Sequence, residues 1–132
     1  MAYITRTDME TRYGADEILS LADRDGDGAA DTGVIEAALE DATAVIDSHL
    51  VGRYTLPLNP VPAVIVRLAC AMARFHLYDE APTQKVTEEY QAAVSALQKI
   101  ASGDLLLVQA DGADRNPDYL EGKKQFNDIG EY

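Results

Sequence analysis

Between Val34 and Val51 the apolar residues Val34, Ile35, Ala38, Leu39, Ala42, Val45, Ile46 and Leu50 recur at steps of three and four. Glu36, Glu40, Asp41, Asp47 and Ser48 fall mostly between them. Only an α-helix brings residues so spaced onto one face, so the stretch is an amphipathic helix, roughly 27 Å long at about 1.5 Å per residue. An apolar stripe of that length has to be covered. The segment from about Pro62 to Tyr78 is suited to cover it, because it is apolar on nearly all sides: Val64, Ile65, Val66, Leu68, Ala69, Met72, Ala73, Phe75 and Leu77. Such a helix is buried around most of its circumference, in the domain centre or partly against another subunit. Pro62 suits its first turn, where a missing N–H does no harm.

The remaining segments are separated by well-marked breaks. Thr7-Asp8-Met9-Glu10 has the form of a capping box and predicts a short helix from about Asp8 to Tyr13, closed by Gly14. A second short helix is expected over Ala15 to Ala22, and a longer one over Thr83 to Ala101 with Val86, Tyr90, Ala93, Val94, Leu97 and Ile100 on one side. Gly52 and Ser102-Gly103 are natural stops. Arg53 to Pro60 reads as an extended connection stiffened by prolines. The expected fold is all-α: a small bundle of about four to five helices over residues 1–103, then an extended C-terminal arm over 104–132. Leu105 to Val108 suits one short strand. Beyond it the arm has no hydrophobic period, so it is expected to order only where a partner or neighbouring subunit receives Tyr119, Phe126, Ile129 and Tyr132.

Charge narrows the function. The chain of 132 residues carries 23 acidic and 11 basic side chains, a net charge of -12. Binding to DNA or RNA through phosphates runs on clustered Lys and Arg, and contact with anionic lipid does too, so both are disfavoured. Hydrophobic residues at 47% nonetheless argue for a folded core rather than an acidic disordered chain. The single cysteine, Cys70, excludes an internal disulfide and a multi-cysteine zinc site. The longest apolar run is too short to span a bilayer, and no secretory signal is expected from the first residues.

The sharpest local signal is Asp23-x-Asp25-x-Asp27-Gly28, followed by Asp31. Oxygen ligands at alternate positions, with glycine at the sixth, are what an EF-hand loop uses to wrap Ca²⁺. Asp23, Asp25 and Asp27 would supply carboxylates, Ala29 a carbonyl, and Asp31 a ligand directly or through water. At the twelfth position, where a bidentate Glu is expected, Val34 stands instead, and Glu36, two residues further on, is the candidate ligand to take its place if the loop is longer. The plainer reading is a polar turn with Asp31 or Thr32 capping the next helix. Against it, clustered carboxylates repel one another and a divalent cation relieves the repulsion. A structural Ca²⁺ is therefore a candidate, of modest affinity, and no cofactor is required.

Elsewhere the chemistry is sparse. His49 and His76 have no second ligand at metal spacing, Cys70 reads as a buried small hydrophobe, and no phosphate loop, nucleophile elbow or H-E-x-x-H motif occurs. No active site is expected. Arg67 and Arg74, seven apart on one face of the apolar helix, and Arg53 are the notable cations; each either pairs within the chain or crosses a subunit interface.

Several blocks together resemble a known family: the opening Met-Ala-Tyr-Ile-Thr, Leu21 to Asp31, Ile46 to Leu58, and Pro62 to Tyr78. They are similar to a family of small proteins of Mu-like phages and prophages, encoded in the head gene cluster near the major capsid protein. The resemblance covers about Ala2 to Gly103 and, weakly, Phe126 to Tyr132. It implies a non-enzymatic head–tail connector, also called an adaptor or head-completion protein, placed at the virion neck. Such a protein forms a ring, usually of about twelve subunits, beneath the portal protein and meets a stopper or tail protein on the other side. DNA would pass through without specific binding. Arg53, Arg67, Arg74, Tyr119, Phe126, Ile129 and Tyr132 are then candidates for subunit or portal contacts. The alternative from another class is a Ca²⁺-dependent binding module of EF-hand or dockerin type, although a dockerin should show two such loops.

Overall fold

A computed structural model describes residues 2–107, which form five helices in the order α1 (Arg6–Tyr13), α2 (Ala15–Ala22), α3 (Val34–Leu50), α4 (Ala63–Leu77) and α5 (Gln84–Ser102). The expected all-α bundle is what the chain adopts. α4 packs against α3 on one side and α5 on another, and also touches α1. That central position is why its sequence is apolar all round: Ile65, Leu68, Ala69, Cys70, Met72, Ala73 and Leu77 are all buried. Each large side chain among these contributes about 1.5–3 kcal/mol by leaving water. α3 presents Ile35, Ala38, Leu39, Ala42, Ile46 and Leu50 to the core, the face read from its period.

The first helix starts two residues earlier than expected. Two capping frames overlap in this stretch, Thr5-x-x-Asp8 and Thr7-x-x-Glu10. The earlier one forms: the Thr5 hydroxyl accepts from Asp8 N–H, and the Asp8 carboxylate accepts from Thr5 N–H. Burial decides between them. Ile4 before the cap and Met9 four residues into the helix are both in the core, at the positions of a hydrophobic staple. Tyr3, also buried, donates its N–H to the Thr43 hydroxyl and its own hydroxyl to Asp47. Glu10, freed from capping, pairs instead with Arg6 on the preceding turn.

The other boundaries agree within a residue or two, and their caps explain the differences. Pro62 is the N-cap of α4 rather than its first residue. Thr83 caps α5 through a bond from Val86 N–H, and Gly103 ends it in the left-handed region at φ 93°. α3 ends at Leu50, and its N-cap is Gly33, so neither Asp31 nor Thr32 supplies a side-chain cap.

The short strand expected over Leu105 to Val108 does not form over Leu105–Leu107, and Val108 lies outside the described residues. Among the described residues there is no strand for it to pair with. Instead Leu105 N–H donates to the Lys99 carbonyl and Leu107 N–H to the Tyr54 hydroxyl. Leu107 is buried in the core, so the bundle takes in residues beyond Gly103. The arm residues Tyr119, Phe126, Ile129 and Tyr132 lie outside the described residues. No helix among the described residues is long and apolar enough to cross a membrane.

Candidate functional site

The loop between α2 and α3 gathers Asp23, Asp25, Asp27 and Asp31 so that one carboxylate oxygen from each lies within 4.8 Å of the others. The chain curls tightly to achieve this. Asp23 Oδ1 accepts from the N–H groups of Gly26 and Asp27, and Oδ2 accepts from Gly28 at 2.8 Å. Gly28 sits at φ 87°, a backbone region that glycine enters without steric cost and that a side chain resists. Asp31 N–H donates to the Ala22 carbonyl at 2.8 Å, closing the loop at its base.

Electrostatics leave this loop unbalanced. The Gly28 N–H chiefly, with help from neighbouring donors, holds the Asp23 carboxyl below the usual carboxylate range. At Asp25 the Asp27 N–H pulls downward, but desolvation and the proximity of Asp23 and Asp27 outweigh it and push the carboxyl up. One member of the group thus resists ionisation beside another that favours it, as expected for crowded like charges. The donor set is all oxygen, which fits a hard cation such as Ca²⁺ better than a soft one. Each carboxylate oxygen has two lone pairs, so those already accepting one N–H retain capacity for an ion. Glu36 is not among the converging carboxylates; it borders a separate cavity with Arg6, Ala30 and Asp31.

Arg24, inside this loop, was not singled out from sequence, though a lone cation among four aspartates was a signal. Its Nη2 donates to the Leu77 carbonyl at 2.9 Å and its Nη1 lies 3.7 Å from Asp79. A carbonyl at the last residue of α4 has no helical partner, so Arg24 satisfies it and ties the acidic loop to the α4 terminus.

The three cations read from the sequence have different fates. Arg74, with a side chain 14% exposed, makes a two-pronged contact with Glu17 at 2.7 and 3.1 Å and reaches Glu89 at 3.3 Å. Its guanidinium carbon also lies 4.3 Å from the Tyr13 ring centroid, a cation–π contact. Arg53 Nε donates to the Ala101 carbonyl at 3.0 Å, satisfying the C-terminus of α5. Arg67 is exposed on α4 and makes no ion pair among the described residues.

Cys70 is buried and the two histidines are half-buried. Burial pushes the Cys70 thiol up to about 11, so it is an inert thiol near neutral pH. His76 lies edge-on to the Phe75 and Tyr90 rings, and its Nε2 is buried without a hydrogen-bond partner among the described residues. Desolvation lowers its pKa against the opposing pull of Asp41. His49 Nδ1 donates to the Val45 carbonyl at 2.9 Å.

The model of the bacteriophage Mu Gp36 family matches residues 3–125, nearly the whole chain. The chain belongs to the Mu Gp36 family. Among its relatives is the Mu-like prophage FluMu protein gp36 of Haemophilus influenzae, 36% identical over 109 residues, covering 83% of this chain and 77% of that protein. Another is gene product J of Escherichia phage Mu, 36% identical over 104 residues, covering 78% of this chain and 74% of that protein. The acidic loop, Arg53, Arg67, Arg74 and Tyr119 fall inside the Gp36 match, while Phe126, Ile129 and Tyr132 lie past its end. The Gp36 match runs beyond Gly103, further than the blocks read from the sequence.

Proposed function

We propose that this protein is a structural component of the phage head, a head–tail connector that forms a ring beneath the portal protein and joins the DNA-filled head to a stopper or tail protein. Membership of the Mu Gp36 family carries this reading. Two physical features support it. A net charge of -12 lets DNA slide past without sticking, because phosphate finds repulsion rather than clustered cations. The exposed large hydrophobics Val51, Leu105 and Leu106 give apolar surface suited to contact with other chains. The role is assembly rather than catalysis, and the ring would number about twelve subunits.

Native mass measurement and negative-stain imaging, with and without isolated portal rings, test the reading. The expected result is a ring of this protein seated on the portal. A chain that stays monomeric and never binds portal rings would sink the connector. Remaining monomeric without the portal would be consistent with assembly on that template.

The four converging aspartates favour a second property within the same reading: a structural Ca²⁺ that sets the angle between α2 and α3. If instead Ca²⁺ drove a large folding transition and created affinity for an unrelated partner, the protein would be a calcium-dependent binding module of EF-hand or dockerin type. Calcium titration followed by circular dichroism separates the two.

A further inference from the structure

All the exposed large hydrophobics of the described residues lie at one end of the bundle. Val51, 70% exposed, follows α3, whose end is joined to that of α5 through Arg53. Leu105 and Leu106, 47% and 40% exposed, follow α5. Between α4 and α5 at this end is an apolar groove of about 400 Å³, lined by Pro62, Ala63, Val64, Ile100 and Leu105–Leu107. One turn along α4 from Ala63, on the same face, stands Arg67, exposed and making no ion pair among the described residues; it lines the next cavity along α4 and α5, with Leu68, Ala71 and Glu89, rather than the groove itself. An apolar groove with a cation one helical turn beyond it favours a segment long enough to span both and apolar and acidic together.

The chain leaves the described bundle at this groove, after Leu107, and residues 108–132 remain. Their last stretch, Phe126-Asn127-Asp128-Ile129-Gly130-Glu131-Tyr132, has the complementary chemistry, with large apolar residues alternating with acids. Chain length allows delivery to a neighbour: Phe126 can lie up to roughly 60 Å from Leu107 at about 3.3 Å per residue, well over the roughly 28 Å length of α5. A closed ring needs two different patches on each subunit, one that inserts and one that receives. We infer that the groove between α4 and α5, with Arg67 one helical turn beyond it, receives the Phe126–Tyr132 segment of a second copy of this chain. The inference rests on the ring reading above and specifies its contact. Asp128 and Glu131 approach Arg67, and the side chains of Phe126, Ile129 and Tyr132 cover Val64, Leu105 and Leu106.

The test uses full-length chains. One carries Ala63→Cys in the groove and the other Ile129→Cys, and the two are mixed under mild oxidation, alone and with isolated portal rings. Cys70 is buried and does not compete. A disulfide-linked pair of the two variants is expected. Adding Arg67→Glu to the groove chain should lower its yield about tenfold, and Asp128→Lys on the arm chain should restore it. The inference is overturned if no linked pair forms in either condition, or if a chain carrying both cysteines links only to itself. Indifference of the yield to Arg67→Glu overturns it as well. Portal binding without the cross-link leaves the connector standing and removes this groove. A cross-link without portal binding does the reverse.

Discussion

Arg74 joins three elements through one planar group: Glu17 of α2 and Glu89 of α5 accept from it, and the Tyr13 ring of α1 lies against its face. Removing it leaves two partly buried carboxylates without a partner, and such losses cost more than the intact pair contributes. Arg74→Ala should destabilise the fold by about 2–3 kcal/mol in urea denaturation. Arg74→Lys should fall between the two, because an ammonium cannot reproduce the two-pronged contact. A cost for Arg74→Ala near zero would show that the contact contributes nothing. His76 makes a different prediction. Its folded pKa is depressed, so the unfolded chain binds the proton more readily. Its contribution to stability is complete above the unfolded value near 6.5 and is lost as pH falls through the lower folded value. Denaturation midpoints measured from pH 8 to pH 5 should decline below about 6.5, and His76→Gln should flatten that decline. Neither contact could be read from spacing, since Glu17 and Arg74 stand 57 positions apart.

The α2–α3 loop shows how far an element can be read locally. Its alternating aspartates and the glycine at position six were visible as a ligand pattern, and the aspartates converge. Which acid would stand at the twelfth position was not settled by counting, and Glu36 is not in the cluster. Saturating Ca²⁺, at about a hundredfold over its dissociation constant, should raise unfolding free energy by about 2.7 kcal/mol, read as a higher melting temperature. Asp23→Asn should abolish most of the rise. An unchanged melting temperature in Ca²⁺ would remove the metal from this loop. The start of α1 shows the opposite case. Two capping frames were present in the local sequence, and only the burial of Ile4 and Met9 selected the earlier one.

For the molecule as a whole, charge and topology act together. With a net charge of -12 the protein should not retard linear duplex DNA in a gel shift even near 0.05 M salt, where phosphate contacts are strongest. Retardation there would contradict a conduit that DNA crosses without attachment. The arrangement of helices was legible in outline because period and composition are local properties. A stripe at three and four residues demands a cover, and a helix apolar all round demands a central place, which α3 and α4 take. What sequence alone determined is therefore the run of helices to within a residue or two, the buried faces of α3 and α4, the excess of acid over base, and the acidic loop. Tertiary structure decided the rest: that Arg74 and Arg53 turn inward while Arg67 stays exposed, and that Arg24 ties the loop to α4. It also decided that Leu105 and Leu106 border a groove rather than pair as a strand. The physical reason is distance along the chain. Periodicity and capping act over a few residues, whereas a guanidinium or an unpaired N–H finds its partner only after helices from distant positions have packed.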